Sequence, residues 1–236
     1  VDRACGELPG VFGMISDLSD EAEAQRCVDT MEGELGPIDV LDNSAGAARR
    51  TPPDDLSPAA YRAAMDAKFF SYVNVIDPVV KRMAARRSGV IVNVIGNGGK
   101  IASPVHVPGG AANAGLMLVT AGLAAAYAER GVRIVAVNPG LTDTSRVAEG
   151  LQADARLASI TEEEARRRSV ERIPMGRLAD PQEIARVIVF LASGQASYVT
   201  GVSITMDGAA APIVVCLFVA PSLIQVHKFT AQQREP

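Results

Sequence analysis

Two short segments of the chain are almost entirely apolar, and they constrain its fold more than any other feature. Residues 89–95 (GVIVNVI) and 133–137 (RIVAV) lack the alternation of polar and apolar residues that a half-exposed strand shows. Unbroken apolar runs of this kind are typical of parallel strands that are covered on both faces. Parallel neighbours must be joined by long crossovers, usually helices. The pattern therefore predicts an α/β protein with a parallel sheet.

Segments with helical spacing of apolar residues alternate with further short apolar runs along the chain. Ser19 or Asp20 is a candidate cap for the first helix, and Asp180, Pro181 and Glu183 form a strong start for the last. The predicted helices cover residues 21–35, 59–85 with Pro78 as a kink or boundary, 111–129 and 181–193. The other predicted strands are residues 11–15, 38–41 and 202–206. Strands and helices that alternate in this way indicate right-handed βαβ units.

Four short motifs stand where predicted strands end, at the edge where an open parallel sheet binds its ligand. They are Asp17-Leu18, Asp42–Gly46 (DNSAG), Asn138–Thr144 (NPGLTDT), and Tyr198–Gly201 (YVTG) with the following Met206–Gly208 (MDG). In order and spacing these motifs resemble the short-chain dehydrogenase/reductase family. The likeness extends from about Val11 to Gly208.

The resemblance implies one doubly wound, Rossmann-like domain and hydride transfer between NAD or NADP and a small carbonyl compound or alcohol. In the family the strands of the sheet lie in the order 3-2-1-4-5-6-7. The family contacts its coenzyme through turns that match Asp17, Leu18, Asn43, Ala45, Gly46, Pro139, Gly140 and Thr144. The same residues also have a purely structural interpretation, in which Gly46 and Gly140 permit tight turns and Asp17 caps a helix.

The glycine-rich turn that holds the pyrophosphate of the coenzyme in this family has no match in the sequence. It belongs a full βαβ unit, roughly 30 residues, before Asp17, and residues 1–10 contain no such turn. We therefore expect a truncated sheet that lacks the family's first two strands, and weak or absent binding of NAD or NADP. Residues 11–15 are expected to close the gap by pairing beside residues 38–41.

The proton-transfer residues of the family also have no counterpart. The family uses a Tyr as general acid, a Lys four residues later, a Ser about thirteen residues earlier and an Asn on the preceding helix. Alignment on the strand at 91–95 places Gly109, Asn113, Gly96 and Lys68 at these positions, respectively. A general acid contributes about 10²–10⁴-fold to a rate, and a positioned hydrogen-bond donor about 10²–10³-fold. We therefore predict that the family's mechanism does not operate here, and the sequence leaves open whether the chain is an enzyme.

Three other polar side chains are candidates for proton donation at the same edge. Lys68 is either a helix lysine that reaches out to solvent or a buried ammonium with a lowered pKa. Lys100 is either an exposed loop cation or a donor. His106 is either a turn residue between two prolines or a donor near neutral pH. The adjoining GGAANAG segment (109–115) favours close packing of its helix against a neighbour over a cradle for an anion.

Charge and cysteine content restrict the partners and the compartment. The chain has 236 residues and a formal net charge of −4, which gives no reason to expect nucleic acid or an anionic membrane as a partner. Its three cysteines lie far apart, show no metal-ligand spacing and suit the reducing cytoplasm.

The most apolar stretch, residues 213–220, is shorter than the ~20 residues of a membrane helix and predicts a buried strand or an adhesive tail. The predicted organisation is one incomplete domain at 1–212 and an atypical tail at 213–236.

Three functions are compatible with the sequence. The first is an NAD(P)-linked oxidoreductase acting on a hydrophobic alcohol or ketone, with Lys68, Lys100 or His106 supplying the proton. The second is a non-catalytic relative, a pseudoenzyme, that binds a nucleotide weakly or binds a family partner. In the family the helix that begins here near Ala111 often lies in a subunit interface, so it is the candidate surface for a homo-oligomer. The third is a truncated product without activity.

Overall fold

Four parallel strands form the centre of the fold. The computed structural model describes residues 10–46 and 50–213. Its strands are β1 (Val40–Asn43), β2 (Gly89–Val94), β3 (Val132–Pro139) and β4 (Ser203–Met206). They pair in the order β1-β2-β3-β4, and all neighbours are parallel. The prediction of an α/β protein with a doubly wound parallel sheet is therefore confirmed.

Helices connect these strands and cover both faces of the sheet. In chain order they are α1 (Glu21–Leu35), α2 (Pro58–Ala64), α3 (Ser71–Ala85), α4 (Val107–Tyr127), α5 (Ser145–Ala158), α6 (Glu162–Glu171) and α7 (Pro181–Ala192). A π-helical segment, Met65–Phe70, joins α2 to α3. The predicted helix at 59–85 is interrupted at this segment and not at Pro78, which lies buried inside α3. Segments of this kind often occur at functional sites, and this one carries Lys68.

Acidic side chains determine where α1 and α7 begin. Asp20 accepts a hydrogen bond from the Glu23 backbone N–H at 2.8 Å, which satisfies an otherwise unpaired amide of the first turn. Asp180 accepts from the Gln182 N–H at 2.9 Å, and the Glu183 carboxylate accepts from the Asp180 N–H at 2.9 Å. Both caps agree with the sequence, which offered Asp20 as one of two candidates.

The sheet separates two apolar layers. On one face α1, α3 and α4 pack around fully buried side chains that include Tyr72, Leu116 and Ile134. On the other face α7 covers Val92 and Val137. Because successive residues of a strand point to opposite faces, the unbroken apolar runs of β2 and β3 supply both layers.

Glycines bring the start of α4 close to the loop that follows β2. A Cβ on Gly99, in the short turn Asn97–Gly99, would stand 2.7 Å from the backbone nitrogen of Ala114. A Cβ on Gly110 would stand 2.9 Å from the carbonyl oxygen of Gly98. Side chains at these positions would collide with backbone atoms. The glycines therefore allow α4 and the loop after β2 to pack closely, which agrees with the prediction for the GGAANAG segment.

Residues 11–15 form no strand, so the predicted pairing beside residues 38–41 is wrong. Val11 and Ile15 are 46% and 73% exposed. In the part of the chain that the structure describes, β1 has β2 as its only hydrogen-bonded neighbour. No further strand lies between these two segments among residues 10–46 and 50–213.

Hydrogen bonds to α1 explain why this segment does not reach β1. The Ser16 hydroxyl donates to the Glu23 carbonyl at 3.3 Å, and the Asp17 N–H donates to the Glu23 carboxylate at 2.8 Å. These bonds direct the chain into the first turn of α1, away from the outer edge of β1.

The outer edge of β1 is consequently open. Val40 is 43% exposed, and the neighbouring Asp42 also lies on the surface. Although Asp42 is exposed, neighbouring protein atoms exclude part of the water around its carboxyl. This desolvation raises the pKa of the Asp42 carboxyl above its ordinary value. An open edge tolerates a charged residue, which would be costly between two strands.

Helix α4 with the turn behind it, Val107–Arg130, is long and apolar enough to cross a membrane by length and composition alone. About a quarter of its most apolar window, 28%, is buried. Core helices have the same composition, and α4 packs on the sheet through Leu116 and Ala124. The apolar run predicted at 213–220 lies, apart from Ile213, outside the described residues.

Candidate functional site at the carboxyl edge of the sheet

The loops that follow the strands are tied together at the carboxyl edge of the sheet, where α/β proteins bind their ligands. Lys68 joins the loop after β1 to the end of β2. The loop after β2 reaches the end of β4, where the Asn97 amide donates to the Asp207 carboxylate at 2.7 Å. In the turn after β3, the Gly140 N–H donates to the Met206 carbonyl at 2.9 Å. These contacts bring most of the predicted site residues to one edge.

Lys68 is buried between the ends of β1 and β2, with 8% of its surface exposed. Its ammonium donates to the carbonyl oxygens of Ala45 at 3.1 Å and Val94 at 2.9 Å, and to the Tyr72 hydroxyl at 2.6 Å. An ammonium has three N–H donors, and these acceptors use all three. The interpretation as a lysine that reaches solvent is therefore wrong, because main-chain oxygens hold the ammonium inside.

Gly46 provides the space that the stem of Lys68 occupies. Its φ is +139°, and a Cβ at this position would stand 2.5 Å from Lys68 Cδ. The predicted tight turn after β1 is therefore also a packing contact. Because a proton donor must come within hydrogen-bond reach of the reacting atom, a lysine committed to the main chain is a poor candidate for that role.

A buried chain of polar side chains continues from β1 into α4. The Asn43 amide donates to the Asn93 side-chain oxygen at 3.0 Å, and the Asn93 amide donates to the Thr120 hydroxyl at 3.0 Å. Thr120 in turn donates to the Leu116 carbonyl at 2.8 Å. Asn43, predicted at the coenzyme, is thus part of a structural network. Asn93 was not among the predicted site residues, although its polar side chain interrupts an otherwise apolar strand.

Gly96 and Asn113, two of the residues predicted at the family's proton-transfer positions, lie close to His106. Gly96 has a φ of +116°, and a Cβ here would be 3.5 Å from the Asn113 amide nitrogen. A Cβ on Gly98 would be 3.5 Å from the same nitrogen and 3.1 Å from the imidazole Cδ2 of His106. The Asn113 amide and the His106 ring therefore approach the same glycine loop. Gly109, at the position of the family's Tyr, is buried in the packing of α4.

Lys100 lies against the last strand and is only half-exposed. Its ammonium donates to the Ser203 carbonyl at 3.2 Å and to the Thr205 hydroxyl at 2.8 Å. Because the carbonyls of residues 202 and 206 accept from β3, the alternation of a strand directs the Ser203 carbonyl to the opposite, open edge of β4. A lysine at this position shields that edge from pairing with another strand.

The turn after β3 is held by contacts of its own. A Cβ on Gly140 would stand 2.8 Å from the Cβ of Asp207, so only glycine fits there. The Thr144 hydroxyl accepts from the Val147 N–H at 3.4 Å and thereby caps α5. The same hydroxyl donates to the Thr142 carbonyl at 3.3 Å. Gly140 and Thr144, two of the three predicted coenzyme positions at the end of β3, therefore have a structural task in this fold.

The Asp17-Leu18 pair anchors the start of α1. The Asp17 carboxylate accepts from the Ser19 hydroxyl at 2.6 Å and from its N–H at 2.9 Å, and these bonds lower the pKa of Asp17. The Leu18 carbonyl accepts from the Asn74 amide at 3.1 Å. Among the described residues, the hydrogen bonds of this pair thus connect it to α1 and α3.

Two ion pairs connect α5 and α6 to the loops at the carboxyl edge of the sheet. Arg50, in the loop after β1, pairs with Asp154 of α5. Arg166 of α6 pairs with Asp143, in the turn after β3, at 2.9 Å, and this contact lowers the pKa of the Asp143 carboxyl. The loop after β1 is also fixed by the Thr51 N–H, which donates to the Val105 carbonyl at 2.9 Å.

A small apolar cavity of ≈ 100 Å³ lies between the ends of β3 and β4 and the start of α7. Drug-sized ligands occupy pockets of about 300–1,000 Å³, so this cavity does not accommodate a coenzyme. It is lined by Leu141, Ile173, Met206 and Ile184, with Arg177 and Glu183 at its polar side.

The described residues do not fit the pyrophosphate half of NAD or NADP. A strand-to-helix turn with exposed backbone amides is the usual cradle for such an anion, and residues 10–46 and 50–213 contain no glycine-rich turn of that kind. At the matched positions, Thr144 is engaged as a helix cap and Asp17 holds Ser19. Within the described ranges no group of three His, Cys, Asp or Glu side chains is placed to hold a metal ion.

Comparison with known proteins gives the lineage of the chain. A family model described as enoyl-(acyl carrier protein) reductase matches residues 1–209. Cis-4-hydroxycyclohexanecarboxylate dehydrogenase of Sinomonas cyclohexanicum is 36% identical over 194 residues, which cover 82% of this chain and 74% of that protein. The 3-oxoacyl-(acyl-carrier-protein) reductase FabG of Thermotoga maritima is 33% identical over 202 residues, 85% of this chain and 78% of that protein.

Solved structures give the same result for the fold. An actinorhodin polyketide ketoreductase determined with NADPH superimposes with a TM-score of 0.82 at 27% identity, over 85% of this chain and 78% of its own. Sorbitol-6-phosphate 2-dehydrogenase SrlD from Erwinia amylovora superimposes with a TM-score of 0.81 at 26% identity, over 86% of this chain and 80% of its own. The parallel sheet, the strand-end motifs and these matches show that the chain belongs to the short-chain dehydrogenase/reductase family of NAD(P)-dependent oxidoreductases.

Proposed function

We propose that this chain is a ligand-binding member of its family that does not transfer hydride by the family's route. The observation that carries the proposal is the packing of α4 at the former catalytic positions. Gly109 and Asn113, which replace the phenol and the ammonium, are both buried in that packing. The hydroxyl position is Gly96, which has no side chain to donate.

The energetic consequence of these replacements is large. A general acid is worth about 10²–10⁴-fold in rate and a positioned donor about 10²–10³-fold. Lys68, which replaces the family's Asn, gives its three donors to Ala45, Val94 and Tyr72. It therefore supports the loop after β1 and supplies no proton to a ligand in this arrangement.

The ligand class in this proposal is a small alcohol or carbonyl compound. The relatives named above are a dehydrogenase of a small hydroxy acid and a reductase of a 3-oxoacyl group on acyl-carrier protein, and the carboxyl edge is where open α/β sheets bind ligands. NAD or NADP remains the candidate coenzyme, with the matched residues as its contacts: Asp17, Leu18, Asn43, Ala45, Gly46, Pro139, Gly140 and Thr144. We expect that binding to be weak because the pyrophosphate has no cradle among the described residues.

A titration tests the binding half of the proposal. NADH and NADPH fluorescence and the thermal midpoint are followed as each coenzyme and a panel of small alcohols and ketones is added to the 236-residue chain. A ligand that binds the native state raises the midpoint with its concentration. We expect a response to small ligands and little to either coenzyme. No response to any compound at millimolar concentration would contradict ligand binding and favour an inactive product.

A second candidate function is carbonyl reduction with His106 as the proton donor. It is favoured by the position of the imidazole beside Gly98, close to the Asn113 amide. Lys100 is a weaker candidate because Ser203 and Thr205 hold its ammonium at the β4 edge. Turnover that His106→Gln abolishes, and that Lys100→Gln leaves unchanged, would establish this function in place of the first.

The remaining expectations concern assembly and location. The exposed face of α4 is the proposed surface for a homo-oligomer, and Leu118 on that face is 76% exposed. A single domain at 1–212 with a separate tail at 213–236 remains a proposal, as does a cytoplasmic location. Sedimentation of wild type and Leu118→Glu tests the interface, since a charge in an apolar contact should shift the chain to monomer.

A further inference from the structure

We propose that Arg50 is the anchor for a small ligand that carries a carboxylate, and that Asp154 occupies this anchor when no ligand is bound. The inference rests on the proposed ligand-binding function and specifies the class of ligand. The carboxylate of Asp154 is the same chemical group that the ligand would present to the guanidinium.

The position of the pair is the first argument. Arg50 stands in the loop after β1, and Asp154 stands on α5, which follows β3. In the sheet β2 lies between these two strands, so the pair spans the loop after β2. The next residue, Thr51, donates to the Val105 carbonyl at 2.9 Å and ties the loop after β1 to the segment that precedes α4. The anchor therefore belongs to the same edge of the sheet as the loop after β2.

The hydrogen bonding of the pair is the second argument. Arg50 makes one hydrogen bond to Asp154, from Nη1 to Oδ1. Arg166 makes two to Asp143, from Nη1 at 3.3 Å and from Nη2 at 2.9 Å. A guanidinium prefers two parallel bonds to one carboxylate. The Arg50 pair is therefore the less complete of the two, and a mobile ligand could adopt the two-bond geometry that Asp154 does not.

The surface beneath Arg50 is the third argument. A Cβ on Gly150 would stand 3.4 Å from Nη2 and 3.5 Å from Cζ and Nε of Arg50. Because these three atoms of the planar guanidinium are nearly equidistant from that position, the guanidinium stacks with its flat face over Gly150. The helix supports one side of the group, which keeps its orientation for a ligand that approaches along its edge.

The strength of the pair permits exchange. Both side chains are 32% exposed, and ion pairs with this much contact to water contribute about 0–1 kcal/mol. An internal competitor of that strength reduces the affinity for an external carboxylate by a small factor. Its removal should therefore increase affinity by about two- to five-fold.

Two substitutions with opposite predicted effects test the proposal. The probe is cyclohexanecarboxylate, with the neutral cyclohexanecarboxamide as its control, and dissociation constants are measured by calorimetry on the full chain. Arg50→Gln should weaken binding of the carboxylate about tenfold or more, since hydrogen bonds to charged groups are worth about 1.5–3 kcal/mol. Asp154→Asn should strengthen it about two- to five-fold. Asp77→Asn, which removes an exposed carboxylate from the distant Lys81 pair, should leave it unchanged.

Three outcomes would overturn the anchor. One is equal affinity of wild type and Arg50→Gln for the carboxylate. Another is a loss of affinity in Asp154→Asn as large as in Arg50→Gln, which would make the pair a structural contact. The third is no binding of the carboxylate to wild type or to Asp154→Asn at tens of millimolar.

The fate of the proposed function is measured separately. Turnover of a carbonyl compound would contradict the proposal that the chain does not transfer hydride by the family's route. The Arg50 anchor would still hold if the affinity for the carboxylate depended on Arg50. Binding of neutral ketones alone, unaffected by Arg50→Gln, would contradict the anchor and leave the proposed ligand-binding function intact.

Discussion

The loop after β2 and the turn after β3 meet the same edge of the sheet but differ in their match to the family. In the turn after β3, Gly140 and Thr144 are the residue types that the resemblance requires, and each also has a packing or capping contact in this fold. In the loop after β2 and the helix that follows it, Gly96, Gly109 and Asn113 are the residues that we propose replace groups whose task in the family is chemical. The fold therefore keeps the residues that it needs for its own structure.

The comparison explains why the scaffold can be recognised while its chemistry cannot be assumed. A glycine at a close approach and a cap at a helix start stabilise the folded state whether or not a reaction occurs. A phenol at an active site contributes to a rate and can be lost without unfolding the chain. In this protein the predicted positions of those side chains lie at the close contact between α4 and the loop after β2.

The largest predicted effect concerns Lys68. Lys68→Ala removes the stem that fills the space over Gly46 and the three hydrogen bonds of the ammonium. We expect a loss of about 2–5 kcal/mol in the free energy of unfolding, the range for truncating a long buried side chain. Urea denaturation measures it. Lys81→Ala on the neighbouring helix, where the exposed ammonium pairs with Asp77, should cost less than about 1 kcal/mol. Equal losses in both variants would show that Lys68 is not a structural clamp.

A pair of glycine substitutions in α4 sharpens the role of the loop after β2. Gly110→Ala places a methyl group 2.9 Å from the Gly98 carbonyl oxygen and should lower the unfolding free energy by about 1–3 kcal/mol through overpacking. Gly122→Ala, with no atom within 4 Å of the new methyl, should raise it by about 0.5–1 kcal/mol, the gain from alanine over glycine in a helix. The sign of the change is the readout. A stabilised Gly110→Ala would mean that the helix and the loop are not in close contact.

The smallest effect is a pH dependence at the start of α7. The Arg177 guanidinium and the Asp180 N–H lower the pKa of Glu183 from its ordinary 4.5 to about 2. Because the folded pKa lies below the unfolded one, the ionised carboxylate stabilises the fold above pH 4.5, and this contribution is lost as the pH falls towards 2. The difference in thermal midpoint between wild type and Glu183→Gln should therefore shrink over that interval. A constant difference would show that the ionised form gains nothing from its partners.

Local features of the fold could be predicted from the sequence because they depend on neighbouring residues. The unbroken apolar strands, the Asp20 and Asp180 caps and the close packing of GGAANAG all follow from patterns within a few positions. The family resemblance added the family membership, which the comparisons confirm, while the site residues and the loss of catalytic groups stay predictions. None of these depends on distant contacts.

Contacts between distant segments account for what the sequence did not predict. Lys68 is drawn inward by carbonyls 23 and 26 positions away, and no helical pattern shows that. The Asn43–Asn93–Thr120 network joins three elements. Residues 11–15 have the apolar composition of a strand, but Ser16 and Asp17 are bonded to the first turn of α1. The apolar composition of residues 11–15 predicts a strand, but the hydrogen bonds of Ser16 and Asp17 direct the backbone into α1.

The central claim is that packing has replaced proton transfer at the carboxyl edge. Its most direct test is the initial rate of NADH and NADPH oxidation by the purified chain with a panel of aldehydes and ketones. The account predicts a rate no greater than that of the protein-free control for either coenzyme. A rate that rises in proportion to protein concentration and saturates with the carbonyl compound would contradict it.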